Sequence, residues 1–171
     1  MGYQMKVDGM DGISKMLSTM ADKAPGVASQ AVYKGAGIMR DAVASGAESI
    51  KTEPFHYAVF PGATTRLPSS EEKEIVMQAG AGIARFDKNG TEVQTSVGYS
   101  NSGYAILKGR VVPVPVIVNA INSGTSFMHK QPFVRNAARK AKAKTERAMT
   151  EVVENAWYKL VHEVYDKYGG R

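Results

Sequence analysis

An α+β fold is what this sequence predicts: an antiparallel sheet of about four strands, packed against an N-terminal helix pair and a long C-terminal helix. Three observations lead there. Apolar residues recur at three- and four-residue spacing towards both ends, alternation and an Asn-Gly turn occupy the middle, and 171 residues are enough for one sizeable core. Helices segregated from a meandering sheet define the class. We expect one domain spanning residues 1–171.

Tyr3-Gln4-Met5-Lys6-Val7 alternates and reads as a short strand. Asp11 is placed to cap a helix whose Ile13, Leu17, Met20 and Ala24 share a face. Pro25 should break or kink that helix, since it lacks an N–H and crowds the carbonyl one turn back. A second run, with Ala28, Ala31, Val32, Gly35, Ile38, Met39 and Ala42, is so rich in small residues that something must pack closely on it. Between about 45 and 70 neither period survives, which predicts a long loop, and loops of that length are usually functional or disordered. Its Phe55, His56, Tyr57 and Phe60 are candidate partner contacts. Ser69 and Glu72 have capping-box spacing and open a short helix through Ile75, Val76 and Met77.

Gly80-Ala81-Gly82 ends that helix, and residues 83–86 begin a strand. Asp87-Lys88-Asn89-Gly90 is a hairpin turn, because Asn-Gly accepts positive φ, and Val93, Thr95, Val97 and Tyr99 alternate on the return. Residues 104–107 and then 111–118 follow. In a strand, Pro113 and Pro115 would withhold N–H groups from the same side, which fits an edge strand protected from further pairing; a polyproline-type connector is the alternative. Pro132 suits the first turn of a helix over about 132–168, roughly 55 Å long. Ala137, Ala141, Ala148, Val152 and Ala156 form one stripe on it, while Trp157, Leu160 and Val164 lie ahead of that stripe. The helix is therefore expected to curve, break or face two partners before Gly169-Gly170 stops it.

Composition removes several classes of function. There is no cysteine, hence no disulfide, Cys-ligated zinc, iron–sulfur cluster or thiol nucleophile. His56, His129 and His162 sit in different segments, so no metal site is expected, and no cofactor is implied. Gly98-Tyr99-Ser100-Asn101-Ser102 misses a nucleophile elbow at its last position, and Gly80-Ala81-Gly82 precedes a strand where a dinucleotide fingerprint needs a helix. Carboxylates never pair in an apolar setting. Catalysis is not expected. No apolar run nears the roughly 20 residues of a membrane helix, and the first residues lack the basic-then-apolar order of a secretory leader, so we expect a protein made and kept inside a cell unless something larger carries it out.

The net charge is +6, and one stretch is dense: Arg135, Arg139, Lys140, Lys142, Lys144 and Arg147, opposed only by Glu146. Such a block is usually a solvated helix face rather than a phosphate-binding surface; in an assembly it would pack on an acidic face of the next subunit, the reading we favour, or contact DNA phosphates. Beyond it the sign reverses at Glu151, Glu154, Glu163 and Asp166. Small-residue helix faces, an aromatic loop and a very long helix are hard to satisfy in a small monomer. Sister copies are expected to complete them, with cyclic symmetry closing the assembly.

Ile121-Asn122-Ser123-Gly124-Thr125-Ser126-Phe127-Met128, then Gln131-Pro132-Phe133 and a basic helix, resembles the neck proteins of long-tailed phages and prophages, the tail-completion, tail-terminator or head–tail joining proteins. Val7-Asp8-Gly9, Ile83-Ala84-Arg85-Phe86, the Asn-Gly turn and Thr95-Ser96-Val97-Gly98-Tyr99 extend the resemblance over most of the chain. Many members carry a Pro…Thr-Gly…Leu-Arg stretch where this chain has Thr64-Thr65-Arg66-Leu67-Pro68, so that loop is not transferred. The resemblance implies a non-enzymatic virion protein, a ring of six closing the tail tube, partnered by tail-tube protein and head connector or stopper, with DNA in the lumen. Gly124, Thr125, Ser126, Phe127, Gln131, Pro132 and Phe133 then stabilise a sheet-to-helix junction, contact a subunit, or both. The rival is a small basic nucleic-acid-binding module using the helix from Arg135 to Arg147.

Overall fold

The computed structural model describes residues 10–52, 65–89, 92–99 and 102–168. The expected first strand, the aromatic residues Phe55, His56, Tyr57 and Phe60, and the closing Gly169-Gly170 lie outside them. The chain is mixed helix and strand, with long helices at both ends, four helices and six short strands among the described residues.

Helix α1 runs unbroken from Met10 to Glu48, with Pro25 inside it. The expected helix pair is thus one helix of 39 residues, about 58 Å. Pro25 is tolerated because its ring and the Ala21 carbonyl it deprives of a donor are on the exposed side, open to water. Leu17 and Ala24, expected on the inner face, are exposed as well, whereas Met20, Ala31, Ala36, Val43 and Ala47 are buried.

Helix α2, Ser70–Ala79, begins with the capping box its spacing predicts: Ser69 Oγ accepts from the Glu72 N–H at 3.2 Å, and Glu72 Oε2 accepts from the Ser69 N–H at 2.7 Å. Glu72 is only 4% exposed and also takes a two-pronged ion pair from Arg66, at 2.6 and 2.7 Å. Burial alone would raise its pKa. The Arg66 hydrogen bonds and charge and the Ser69 N–H outweigh that and hold it below the ordinary 4.5. A depressed carboxylate stabilises the fold above its unfolded pKa and loses that contribution as pH falls through about 4.5 and below. Arg66→Met should cost about 2 kcal/mol at pH 7, less than a fully buried pair because the arginine is partly exposed. Denaturant unfolding of parent and variant against pH should show that gap closing towards pH 3; a gap independent of pH would disprove the assignment.

The expected sheet of about four strands is instead three two-stranded ribbons. Strands β1 (Gly82–Ile83) and β4 (Val97–Gly98) pair, as do β2 (Asp87–Asn89) and β3 (Glu92–Gln94), all antiparallel. They are two parts of one long hairpin. Between them residues 84–86 face only Thr95 and Ser96, a one-residue bulge that interrupts the ladder and ends the strand expected over residues 83–86. Within it, Phe86 meets Tyr33 of α1 at 6.0 Å. The alternation of the return strand holds: Val93, Thr95, Val97 and Tyr99 turn inward, Glu92, Gln94 and Ser96 outward. Strands β5 (Tyr104–Leu107) and β6 (Arg110–Pro113) form a second hairpin, whose turn residues Lys108 and Gly109 have φ of 50° and 74°, the signs a type I′ turn requires.

The expected edge strand over residues 111–118 stops at Pro113. There α3 begins and runs from Val114 to Ser123. Pro113 is its N-cap, and Pro115 lies in the first turn, where an N–H would have no intrahelical acceptor and φ is already set for a helix. Val114, Ile117, Val118 and Ile121 are buried at helical spacing. With Val43 and Ala47 of α1, Ile50 just beyond it, Val76 of α2, Tyr99, Met128 and the start of α4 they make the core.

Helix α4, Phe133–Tyr168, follows the expected bounds closely and lies along α1 in the opposite direction. A Cβ on Gly46 would sit 2.8 Å from Ala137 Cβ, one on Gly35 2.6 Å from Met149 Sδ, and Lys23 pairs with Glu163 at 2.8 Å. The small-residue faces assigned above to neighbouring copies are therefore filled within the chain, each by the other helix.

Candidate assembly surfaces

The segment joining α3 to α4 is knitted by hydrogen bonds that its residue types dictate. Gly124 ends α3 at φ 78°, and a Cβ there would come within 3.2 Å of Lys130 backbone atoms, so the position needs glycine twice over. Thr125 Oγ1 accepts from the Phe127 and Met128 N–H groups at 3.3 and 3.0 Å, closing a tight turn. Asn122, at the end of α3, accepts from the Val134 N–H at 3.2 Å and so satisfies an open donor in the first turn of α4. Pro132 precedes that helix, its carbonyl accepting from Asn136 at 2.9 Å, while Phe133 is buried edge-on against Tyr99 at 6.2 Å.

Gln131 does what a strand neighbour would do. Its amide accepts from the Lys51 N–H and donates to the Lys51 carbonyl, both at 2.8 Å, tying the end of α1 to the start of α4. Arg66 and Met128 add a parallel bridge, with the Arg66 N–H on the Phe127 carbonyl and the His129 N–H on the Arg66 carbonyl, both 2.8 Å. Gly124, Thr125, Gln131, Pro132 and Phe133 thus have structural partners within the chain. Ser126 and Phe127 do not point inward; Phe127 is 60% exposed. Gln131→Ala should cost about 1 kcal/mol by the loss of two partly exposed hydrogen bonds, read as a shift in thermal midpoint. No shift would mean that the amide pairing adds nothing over water.

A more extended apolar surface lies on the second hairpin. Its register sets Tyr104 opposite Pro113 and Ile106 opposite Val111 on one face, and Ala105 opposite Val112 on the other. Ala105, Leu107 and Val112 pack on the core. Tyr104, Ile106 and Val111 are 75%, 68% and 70% exposed. A half-buried strand normally carries polar residues on its outer side; this one is apolar on both. That signal was present in the sequence, where residues 104–107 and 111–113 contain no charged residue and no polar side chain except the Tyr104 hydroxyl.

All six basic residues of the first half of α4 are exposed, and among the described residues only Lys142 of these has an ion pair, with Glu146 at 3.7 Å. In its second half Leu160 and Val164 are buried, while Trp157, Tyr158 and Tyr165 are exposed. A groove of about 560 Å³ opens where the ends of α1 and α3–α4 meet, lined in part by Lys51, His129, Lys130 and Asn136. Among the described residues no group of three or more His, Asp or Glu is placed to hold a metal ion, and no helix is long and apolar enough to cross a membrane. His129 is exposed, and His162 lies against the Tyr158 ring at 4.3 Å.

No protein-family model, no curated relative and no solved structure matches the chain.

Proposed function

We propose that the chain is a structural virion component of a long-tailed phage or prophage, forming a ring at the head–tail neck that completes or terminates the tail and meets the head connector, with DNA passing through the lumen. The distributed resemblance of residues 121–133 and of the first hairpin motivates the reading. The observation that carries it is the outer face of the second hairpin: Tyr104, Ile106 and Val111 form a contiguous apolar surface of the kind that marks a protein interface. Exposed Phe127 offers a further anchor.

Size-exclusion chromatography with light scattering, alone and with a tail-tube protein, tests this. Rings or a stable complex are expected for the parent, and Ile106→Asp should abolish them without unfolding the chain. A parent that binds neither tail-tube nor connector protein overturns the reading. Electron microscopy of particles made without the protein should show separated heads and tails, or tails of wrong length.

One observation favours a second reading, nucleic-acid binding: Arg135, Arg139, Lys140, Lys144 and Arg147 are exposed cations without ion pairs among the described residues. Retardation of duplex DNA that falls steeply with salt would support it. Failure to retard DNA at low ionic strength removes it.

A further inference from the structure

An exposed flank of α4, whose Lys140 and Lys144 border the groove against α1, sorts its charges by sign. Following one face along the helix, Lys140, Lys144 and Arg147 come first, then Glu151 and Glu154, then Tyr158, and all six are exposed. Spacings of three and four keep them on one stripe. Like charges adjoin within each block, Lys140 and Lys144 at i,i+4 among them, and among the described residues none of the five charged groups makes an ion pair. Opposite signs adjoin only where the blocks meet, with Arg147 and Glu151 at i,i+4, while Lys144 and Glu154 are held about 15 Å apart along the single helix.

A second copy removes the conflict. The geometry points to an antiparallel α4–α4 contact between two copies of this chain, related by a two-fold axis crossing the helix at the level of Met149. Arg147 then faces Glu151, Lys144 faces Glu154, and the Lys140 ammonium meets the Tyr158 ring, as a cation–π contact requires. Each pair occurs twice, because a two-fold contact is its own complement. Ala143 and Thr150 line a depression of about 410 Å³ between these charges, where a second helix can approach, and Glu146 stands at its flank beside Lys142. The inference is independent of the neck reading. A two-fold contact closes on itself, so a ring would use other surfaces, such as the second hairpin, and either can fail without the other.

Sedimentation velocity on the full chain tests it. The parent should dimerise at about 10–100 μM in low salt and dissociate as salt rises from about 50 to 500 mM. Arg147→Glu and Glu151→Arg, both exposed and checked for unchanged circular dichroism, should each weaken the dimer at least about tenfold by creating two like-charge contacts. An equimolar mixture of the two variants should restore it, since each then presents the charge the other lacks. A parent monomeric throughout that range, an oligomer of any size indifferent to the reversals, or variants that fail to rescue one another would overturn the proposal. A monomeric parent whose DNA retardation is lost in Arg147→Glu would assign the stripe to nucleic acid instead.

Discussion

Shortening Ile121 to alanine is expected to lower the unfolding free energy by about 3–4 kcal/mol, a large share of the 5–15 kcal/mol typical of a domain. Ile121 is fully buried, in the cluster formed by α1, α2, α3 and the first turns of α4. Its carbonyl also accepts from the Gln131 N–H at 2.8 Å, so the backbone around it is fixed and collapses little into the space left. The cost therefore combines lost transfer energy with a residual cavity. Val116→Ala, on the exposed side of α3, should change stability by no more than about 0.5 kcal/mol. Urea midpoints at constant slope give both numbers. Similar losses at the two positions would contradict a helix with one buried face.

That contrast also shows where local sequence signals were sufficient. The Ser69–Glu72 box, the alternation at Val93–Tyr99 and the bounds of α4 were legible because each rests on contacts a few residues apart. Helix α3 was not. Two prolines at i,i+2 suit an edge strand as well as a helix start, and the choice is made by four apolar side chains that find a core only in three dimensions. Pro25 misled for a related reason: a proline in mid-helix is opposed by local terms, but packing of α1 along α4 and exposure of the freed carbonyl outweigh them. The bulge after Ile83 has no glycine or proline to announce it.

The candidate surfaces divide in the same way. Gly124, Thr125 and Pro132 could be assigned to a turn and a helix start from residue type alone. The pairing of Gln131 with Lys51 spans 80 positions and had no local signature. The small-residue faces were correctly read as close-packing surfaces but assigned to the wrong partner, because the sequence states how near a neighbour comes and not which chain supplies it. Removal of that argument shifts the case for self-association onto the second hairpin and the sign-sorted face of α4.

The closeness of that internal packing sets the second large effect. Gly46→Val is expected to cost about 3 kcal/mol, although valine gains a few tenths over glycine in helix propensity. The new Cβ would stand 2.8 Å from Ala137 Cβ and 3.4 Å from the Phe133 carbonyl oxygen. Neither is the end of a flexible side chain, so relief requires α1 and α4 to separate at the point where both enter the core. Gly35 looks tighter still, at 2.6 Å, but what it meets is the Met149 thioether, which can turn aside. Gly35→Ala should therefore stay within about 1 kcal/mol of the parent, its clash offset by helix propensity. Thermal midpoints of the two variants measure the difference. Equal loss at both sites would mean that the seam yields as a whole, and that the rigid contact at Gly46 does not fix the spacing of the two helices.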